Sequence, residues 1–278
     1  MINLIKIELI KLWYQKKTWI SFWVFAFIII IIHIALYIDG QSMLDLLLQS
    51  YKSQLLISGN IINGYLVSYI ALNTLWVHIP ILLVIVTGDM VSGDMEKGTI
   101  RNLLSSPISR MDFILAKTVA AFLYVIAFMF FMMLTTLPPS LVIFGSGDLL
   151  VFINGIQIIL AEEALNRFLL SFAFGTLSMI SFAAISIFFS VLFKNSLMAI
   201  LASLGLLVIS TLIQSFAFGV FESWQSFLFT FHMTQWQLFF LRDIPYLEIL
   251  GSALFLFAIT IIAIVSSIII FKRTQITE

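Results

Sequence analysis

Residues 19–38 read WISFWVFAFIIIIIHIALYI, twenty consecutive positions without an Asp, Glu, Lys or Arg. As a helix this stretch is long enough to cross a hydrocarbon core, which takes about 20 apolar residues. A strand in lipid would leave its backbone N–H and C=O groups unpaired, and no ten-residue alternation of a membrane barrel occurs, so helix is the predicted conformation. Moving outward, five further charge-free segments reach spanning length: Ile61–Thr87, Thr118–Leu137, Phe168–Phe193, Leu197–Phe218 and Ile249–Phe271. The fold class expected is an all-α integral membrane protein of six transmembrane helices, one membrane domain filling residues 1–278.

Composition excludes a soluble alternative. At 62% hydrophobic and 10% charged residues, the chain lacks the polar side chains needed to coat a globule. The formal net charge is zero, which removes a global field as a reason to bind nucleic acid, and the absence of cysteine rules out disulfides, thiolate metal sites and cysteine catalysis. No internal repeat or low-complexity linker interrupts the pattern.

Charge is informative in its placement. Lys6, Lys11, Lys16, Lys17, Lys97, Arg101, Arg110, Lys117, Lys194, Lys272 and Arg273 fall in one alternate set of loops, against Lys52, Arg167 and Arg242 in the other. Basic residues are retained on the cytoplasmic side, so eleven against three predicts both termini in the cytoplasm. Acidic residues Asp39, Asp45, Asp148, Glu162, Glu163, Glu222, Asp243 and Glu248 lean outward.

Residues 1–17 are basic and imperfectly amphipathic. Ile2, Ile5, Leu9, Leu12 and Trp13 share one helical sector, while Leu4, Ile7 and Ile10 spoil the polar face. This suggests an interfacial helix, or a plain cytoplasmic extension of the first span, with Trp13, Trp19 and Trp23 as interface anchors in either case. The apolar run that follows is too long for a signal peptide and ends in no small-x-small cleavage site, so the segment is expected to stay in the mature protein.

On the outer side, Leu149–Leu160 and Ser226–Leu241 are apolar yet too short or too interrupted to span, which suggests short re-entrant or interfacial helices. The second lies in an aromatic outer loop, 219–248, carrying Phe227, Phe229, Phe231, Trp236, Phe239 and Phe240. Packing on the bilayer interface is the reading preferred there over a gating role.

Catalytic motifs are missing. No HExxH, GxSxG or paired metal-ligand spacing occurs, and no carboxylate sits at the centre of a span. His33, His78 and His232 are scattered and read as hydrogen-bonded structural residues. Gly93–Thr99, GDMEKGT, keeps two glycines of a P-loop but has Thr99 where the phosphate-binding lysine must stand. Any ATP must therefore be hydrolysed by another polypeptide.

The remaining signal is the charged segment 88–117, GDMVSGDMEKGTIRNLLSSPISRMDFILAK, between the second and third spans. Asp89 and Asp94 follow the second span, Gly93 and Gly98 permit turns, Thr99 can cap a short helix over Ile100–Leu104, and Pro107 ends it. The positive-inside rule alone would not require its four acidic residues or this Gly and Pro punctuation. The pattern E-x-G-T-x-x-x-L-L-x-x-P-x-S-R, here Glu96, Gly98, Thr99, Leu103, Leu104, Pro107, Ser109 and Arg110, resembles the cytoplasmic loop of ABC-2 type transporter permeases. Lys117 fits the same pattern, and so do the basic N-terminal helix, the six spans and the closing pair Lys272, Arg273.

That resemblance implies a coupling loop, 88–117, docking on a separate cassette ATPase. Ile100, Leu103 and Leu104 would form an apolar plug, Arg101 and Arg110 would donate to acidic partners, and Glu96 would face a basic one or pair with the neighbours of Lys97. It further implies two ATPase subunits that bind ATP and Mg, no cofactor in this chain, and a second permease as homodimer or paralogous heterodimer. The setting would be the bacterial cytoplasmic membrane and its lipids, and export is the expected direction. Asn73, His78 and Pro80 of the second span and Ser203, Ser210, Thr211 and Gln214 of the fifth could line a path. Gly175, Ala183, Ala184, Ser186 and Ser190 offer close helix packing, between subunits or within one bundle. Two other functions compete: a non-transporting scaffold or toxin-immunity protein acting through the aromatic outer loop, and a lipid-modifying enzyme, which would need clustered acidic or histidine residues.

Overall fold

A computed structural model describes residues 1–48, 61–98, 108–153, 155–216 and 222–273. In chain order the helices are α1 (Ile2–Tyr14), α2 (Lys16–Leu48), α3 (Gly64–Leu75), α4 (His78–Thr87), α5 (Ser92–Glu96) and α6 (Arg110–Phe144). A hairpin, β1 (Leu149–Phe152) and β2 (Ile156–Ile159), precedes α7 (Ala161–Leu192) and α8 (Ser196–Phe216). A 3-10 turn at Glu222–Phe227, α9 (Phe229–Met233), a second 3-10 turn at Gln235–Phe240 and α10 (Tyr246–Arg273) complete it. Five of these helices, together with the helical stretch His78–Glu96 that runs through α4 and α5, are long and apolar enough to cross a membrane, so the all-α membrane bundle of six spans holds.

The helices outrun the charge-free segments. With 33 residues in α2 and 35 in α6, each is about 50 Å long at 1.5 Å per residue, well beyond a ~30 Å core. Polar flanking residues continue the backbone hydrogen bonding, because nothing at the lipid boundary terminates a helix. α6 starts where Ser109 caps it: its Oγ accepts from the Asp112 amide at 3.0 Å.

The second span is not one helix. α3 ends at Leu75, and α4 starts at His78 after a turn at Trp76 and Val77. Pro80 has no amide hydrogen to return to the carbonyl four residues back, which is the local reason for the break. One side of the break is covered by protein, where Trp76 packs on Trp236 with ring centroids 4.9 Å apart and lies against Gly175 of α7; on the other side Val77 is 55% exposed.

Two outer segments depart from expectation. Leu149–Leu160 forms an antiparallel hairpin, pairing Leu149 with Ile159 and Phe152 with Ile156, and not an interfacial helix. Two short apolar runs around Asn154-Gly155 are a hairpin signal that outweighs their hydrophobicity. The hairpin is tied to the starts of α3 and α7: Asn63 Nδ2 donates to the Asp148 carbonyl at 2.7 Å, and Asp148 Oδ1 accepts from the Ala161 backbone amide at 2.9 Å.

In the aromatic loop, short helices do form, yet most of its rings face inward and not toward the bilayer interface. Trp236 and Phe240 are fully buried, with Phe240 edge-on to Tyr69 and Phe168. Arg167 of α7 holds this segment by donating to the carbonyls of Phe239, Leu241 and Arg242. Among the described aromatics of 219–248, Trp224, Phe227 and Tyr246 remain strongly exposed. Burial between helices removes more apolar ring area from water than an interfacial position does.

The small residues of α7 are likewise used inside the chain. Ala183 and Ala184 are buried, and Ser190 Oγ accepts from the amides of Val91 and Ser92 at 3.1 and 2.9 Å.

Candidate functional site

Lys117 stands near the start of α6 with only 1% of its surface exposed. A lysine so enclosed must be paired, and three oxygens meet its ammonium: Asp94 at 2.6 Å, Glu8 at 3.0 Å and the Met90 carbonyl at 2.6 Å. The Phe113 ring lies 4.9 Å from Nζ, within cation–π range. Lys11, one turn beyond Glu8, bridges the same two carboxylates at 3.0 and 3.2 Å. Half-burial of Lys11 opposes its charge, but Glu8 and Asp94 outweigh that and hold its pKa above the ordinary lysine range. Two cations and two anions thus tie α1, α5 and α6 together.

A second knot lies beside the first. Lys17 at the start of α2 pairs with Asp89, whose other oxygen accepts from the Ser196 hydroxyl at the start of α8. Gly93 is needed here for approach and not for a turn: a Cβ would stand 2.3 Å from Asp89 Oδ1. Gly98 does make a turn, at φ +66°. Glu96 accepts from the Asn195 side chain at 2.6 Å, and Asn195 Oδ1 in turn accepts from the Met198 amide at 2.9 Å. The front of segment 88–117 is therefore bonded to the starts of α2 and α8 and, two turns into α6, to Lys117.

At its far end, Arg110 donates to the carbonyls of Phe271 and Lys272 at 3.3 and 2.9 Å. A cation on the last carbonyls of α10 satisfies groups that the helix leaves open and complements its dipole. Thr99, Ile100, Arg101, Leu103, Leu104 and Pro107, with the short helix expected over Ile100–Leu104, lie outside the described residues. Glu96, Gly98, Ser109 and Arg110 bracket them.

The expected path residues are only partly gathered. Pro80, Thr211 and Gln214 line a cavity of about 70 Å³ with Trp76 and Thr230, at the break in the second span. Ser210 is hydrogen-bonded to Thr230 at 2.8 Å. Asn73 accepts from Gln237 at 2.6 Å and so braces the aromatic segment. His78 is exposed, bonded to the Thr74 carbonyl at 3.0 Å, and Ser203 bonds back to the Ala199 carbonyl within α8. The indole nitrogens of Trp76 and Trp236 are buried without hydrogen-bond partners.

The other histidines are structural. His33 bridges the Ile29 carbonyl and Ser140 Oγ at 2.8 and 2.7 Å. His232 does the same between Ser252 and the Ser226 carbonyl, stacked on Phe255; burial, opposed by that carbonyl, lowers its pKa. Among the described residues no group of three acidic or histidine side chains could hold a metal.

Sequence reasoning missed Glu8, Ser92 and Asn195, and read Ser190 only as a helix-packing residue. Glu8 had a signal: it is the only acidic residue before Asp39 in a basic, apolar segment, three residues ahead of Lys11. The serines had none, since small polar residues are ordinary in membrane helices.

Residues 2–276 match a family model described as ABC-2 family transporter protein. No curated protein matches the chain.

Proposed function

The chain belongs to the ABC-2 family of transporter proteins, and from that membership we propose that it is the permease subunit of an ATP-driven exporter. It is a multi-pass membrane component of a transporter. In the finer reading, both termini and segment 88–117 lie in the cytoplasm of a bacterium. There the segment meets a separate cassette ATPase that binds ATP and Mg, and two permeases assemble with two such subunits.

One observation carries the reading: Lys117 is enclosed by Glu8, Asp94 and the Met90 carbonyl. A loop whose only task was to connect two spans would need no buried ion cluster at its root. A loop that receives force does need one, because displacement of 96–110 must reach the spans without being absorbed by bending. Through Asp94 and Lys117 it reaches α6, through Asp89 it reaches α2 and α8, and through Arg110 it reaches α10. The cavity at Trp76, Thr211 and Gln214 borders the broken second span, where a change of helix angle alters its width. Asn73 and Ser210, already hydrogen-bonded, would shape the path; His78, exposed on α4, is the fourth candidate.

Co-purification with the partner tests this. The tagged wild-type chain should bring down a cassette ATPase and stimulate its turnover, while Arg101→Glu and Leu104→Asp should abolish both and leave the permease folded. Wild-type protein free of ATPase, or variants that behave like it, would overturn coupling through this segment.

A further inference from the structure

Where α1 turns into α2, a groove of about 420 Å³ opens between these helices and the middle of α6. That volume lies in the ~300–1,000 Å³ range of small-ligand sites, and the walls are apolar, among them Leu9, Trp13, Trp19, Phe22, Leu123 and Ala127. Two polar groups in the wall are satisfied by the protein: the Trp19 indole donates to the Trp13 carbonyl at 2.7 Å, and the Tyr124 hydroxyl meets Ser21 Oγ at 2.7 Å. Thr18 differs. It lines the groove, is 7% exposed, and its buried Oγ1 has no hydrogen-bond partner. A buried hydroxyl left unpaired is unfavourable, and rotation about the Thr18 Cα–Cβ bond would turn Oγ1 to the groove, where an acceptor satisfies it.

The mouth of the groove is rimmed by exposed apolar side chains, as a surface in contact with lipid requires. Trp13, Trp23 and Leu123 in its wall are largely exposed on a chain with six membrane-spanning helices, and tryptophan favours the membrane–water interface. Charge adds a second constraint. Lys6 precedes Leu9 and Trp13 by three and seven residues on α1, and Lys16 precedes Trp19 and Trp23 in the same way on α2, so each lysine shares a helix face with groove residues. Both are exposed, whereas Lys11 and Lys17 are held in ion pairs.

An apolar slot, one hydroxyl awaiting an acceptor and two flanking ammonium groups describe an amphiphile. We propose that the groove binds one acyl chain of an anionic diacyl glycerophospholipid, with an ester carbonyl accepting from Thr18 Oγ1 and the headgroup facing Lys6 and Lys16. The lipid would wedge α1 against α2 and α6, and α1 carries Glu8 into the Lys117 cluster. This binding does not depend on ATPase docking or on export.

Native mass spectrometry of the delipidated full chain tests it. The probes are phosphatidylglycerol, its ether-linked analogue without ester carbonyls, and phosphatidylcholine. The expected result is one retained phosphatidylglycerol per chain, bound about 3- to 10-fold better than the ether lipid, as one hydrogen bond allows. Thr18→Val should lower the ester lipid to the ether level and leave the ether lipid unchanged. Lys16→Gln should reduce the preference over phosphatidylcholine, and Ala127→Phe, at a position exposed in the groove, should remove the retained lipid. Equal loss of ester and ether lipid in Thr18→Val overturns the proposal. So does a folded Ala127→Phe variant that keeps its lipid, or one that changes only the oligomeric state, which would make a second copy the occupant.

Discussion

The single ammonium group of Lys117 joins α6 to α1 and α5. It is the common partner of carboxylates from those two helices, and removing one member of a buried ion cluster leaves the others uncompensated at a cost of about 3–5 kcal/mol. Lys117→Met, which keeps the length and lets Lys11 stand alone between Glu8 and Asp94, should therefore lower the thermal unfolding midpoint in detergent markedly. Adding Asp94→Asn should recover part of the loss, because it removes a carboxylate left without its main cation. A Lys117→Met protein as stable as wild type would show that the cluster holds nothing together. The residue was visible in the sequence as a lone charge at the edge of an apolar run; its partners were not. Glu8 lies 109 positions away, and nothing in local spacing brings those positions together.

At the scale of elements, the segment 222–240 shows where composition misleads. Its aromatic density reads as an interface belt, yet the fold divides it into exposed rings and a packed plug over the broken second span. Trp236 is 1% exposed and Trp224 is 65% exposed. Trp236→Ala should accordingly destabilise the protein by about 3–5 kcal/mol, the range for emptying a buried aromatic site, while Trp224→Ala should stay within about 0.5 kcal/mol. Unfolding midpoints of the two variants, compared side by side, check this; equal effects would restore the belt. The break between α3 and α4 was half legible, since Pro80 marks a weak point in any helix. What the sequence did not contain was the packing of Trp76 on Trp236 and α7, which covers one side of the break.

For the whole molecule, the orientation rests on eleven basic residues against three. The chain has no cysteine, so single-cysteine variants report sidedness cleanly. Lys97 and Asp243 are both exposed. Lys97→Cys should react with a membrane-impermeant maleimide only after the cells are opened, and Asp243→Cys should react in intact cells. The reverse pattern would invert the molecule and remove the 88–117 segment from reach of any cytoplasmic ATPase.

The number of spans, their approximate centres and the charged segment between the second and third were determined by the sequence itself. Hydrophobic length is a local quantity, and lipid leaves a chain few ways to satisfy its backbone. The hairpin at 149–159 was signalled locally by Asn154-Gly155, whereas the division of the aromatic loop, the apolar groove beside α1 and the ion cluster at Lys117 were decided only by tertiary structure. Each depends on which side chains meet across long separations in the chain, and in an interior of low dielectric such meetings determine whether a charge or a ring is buried or exposed.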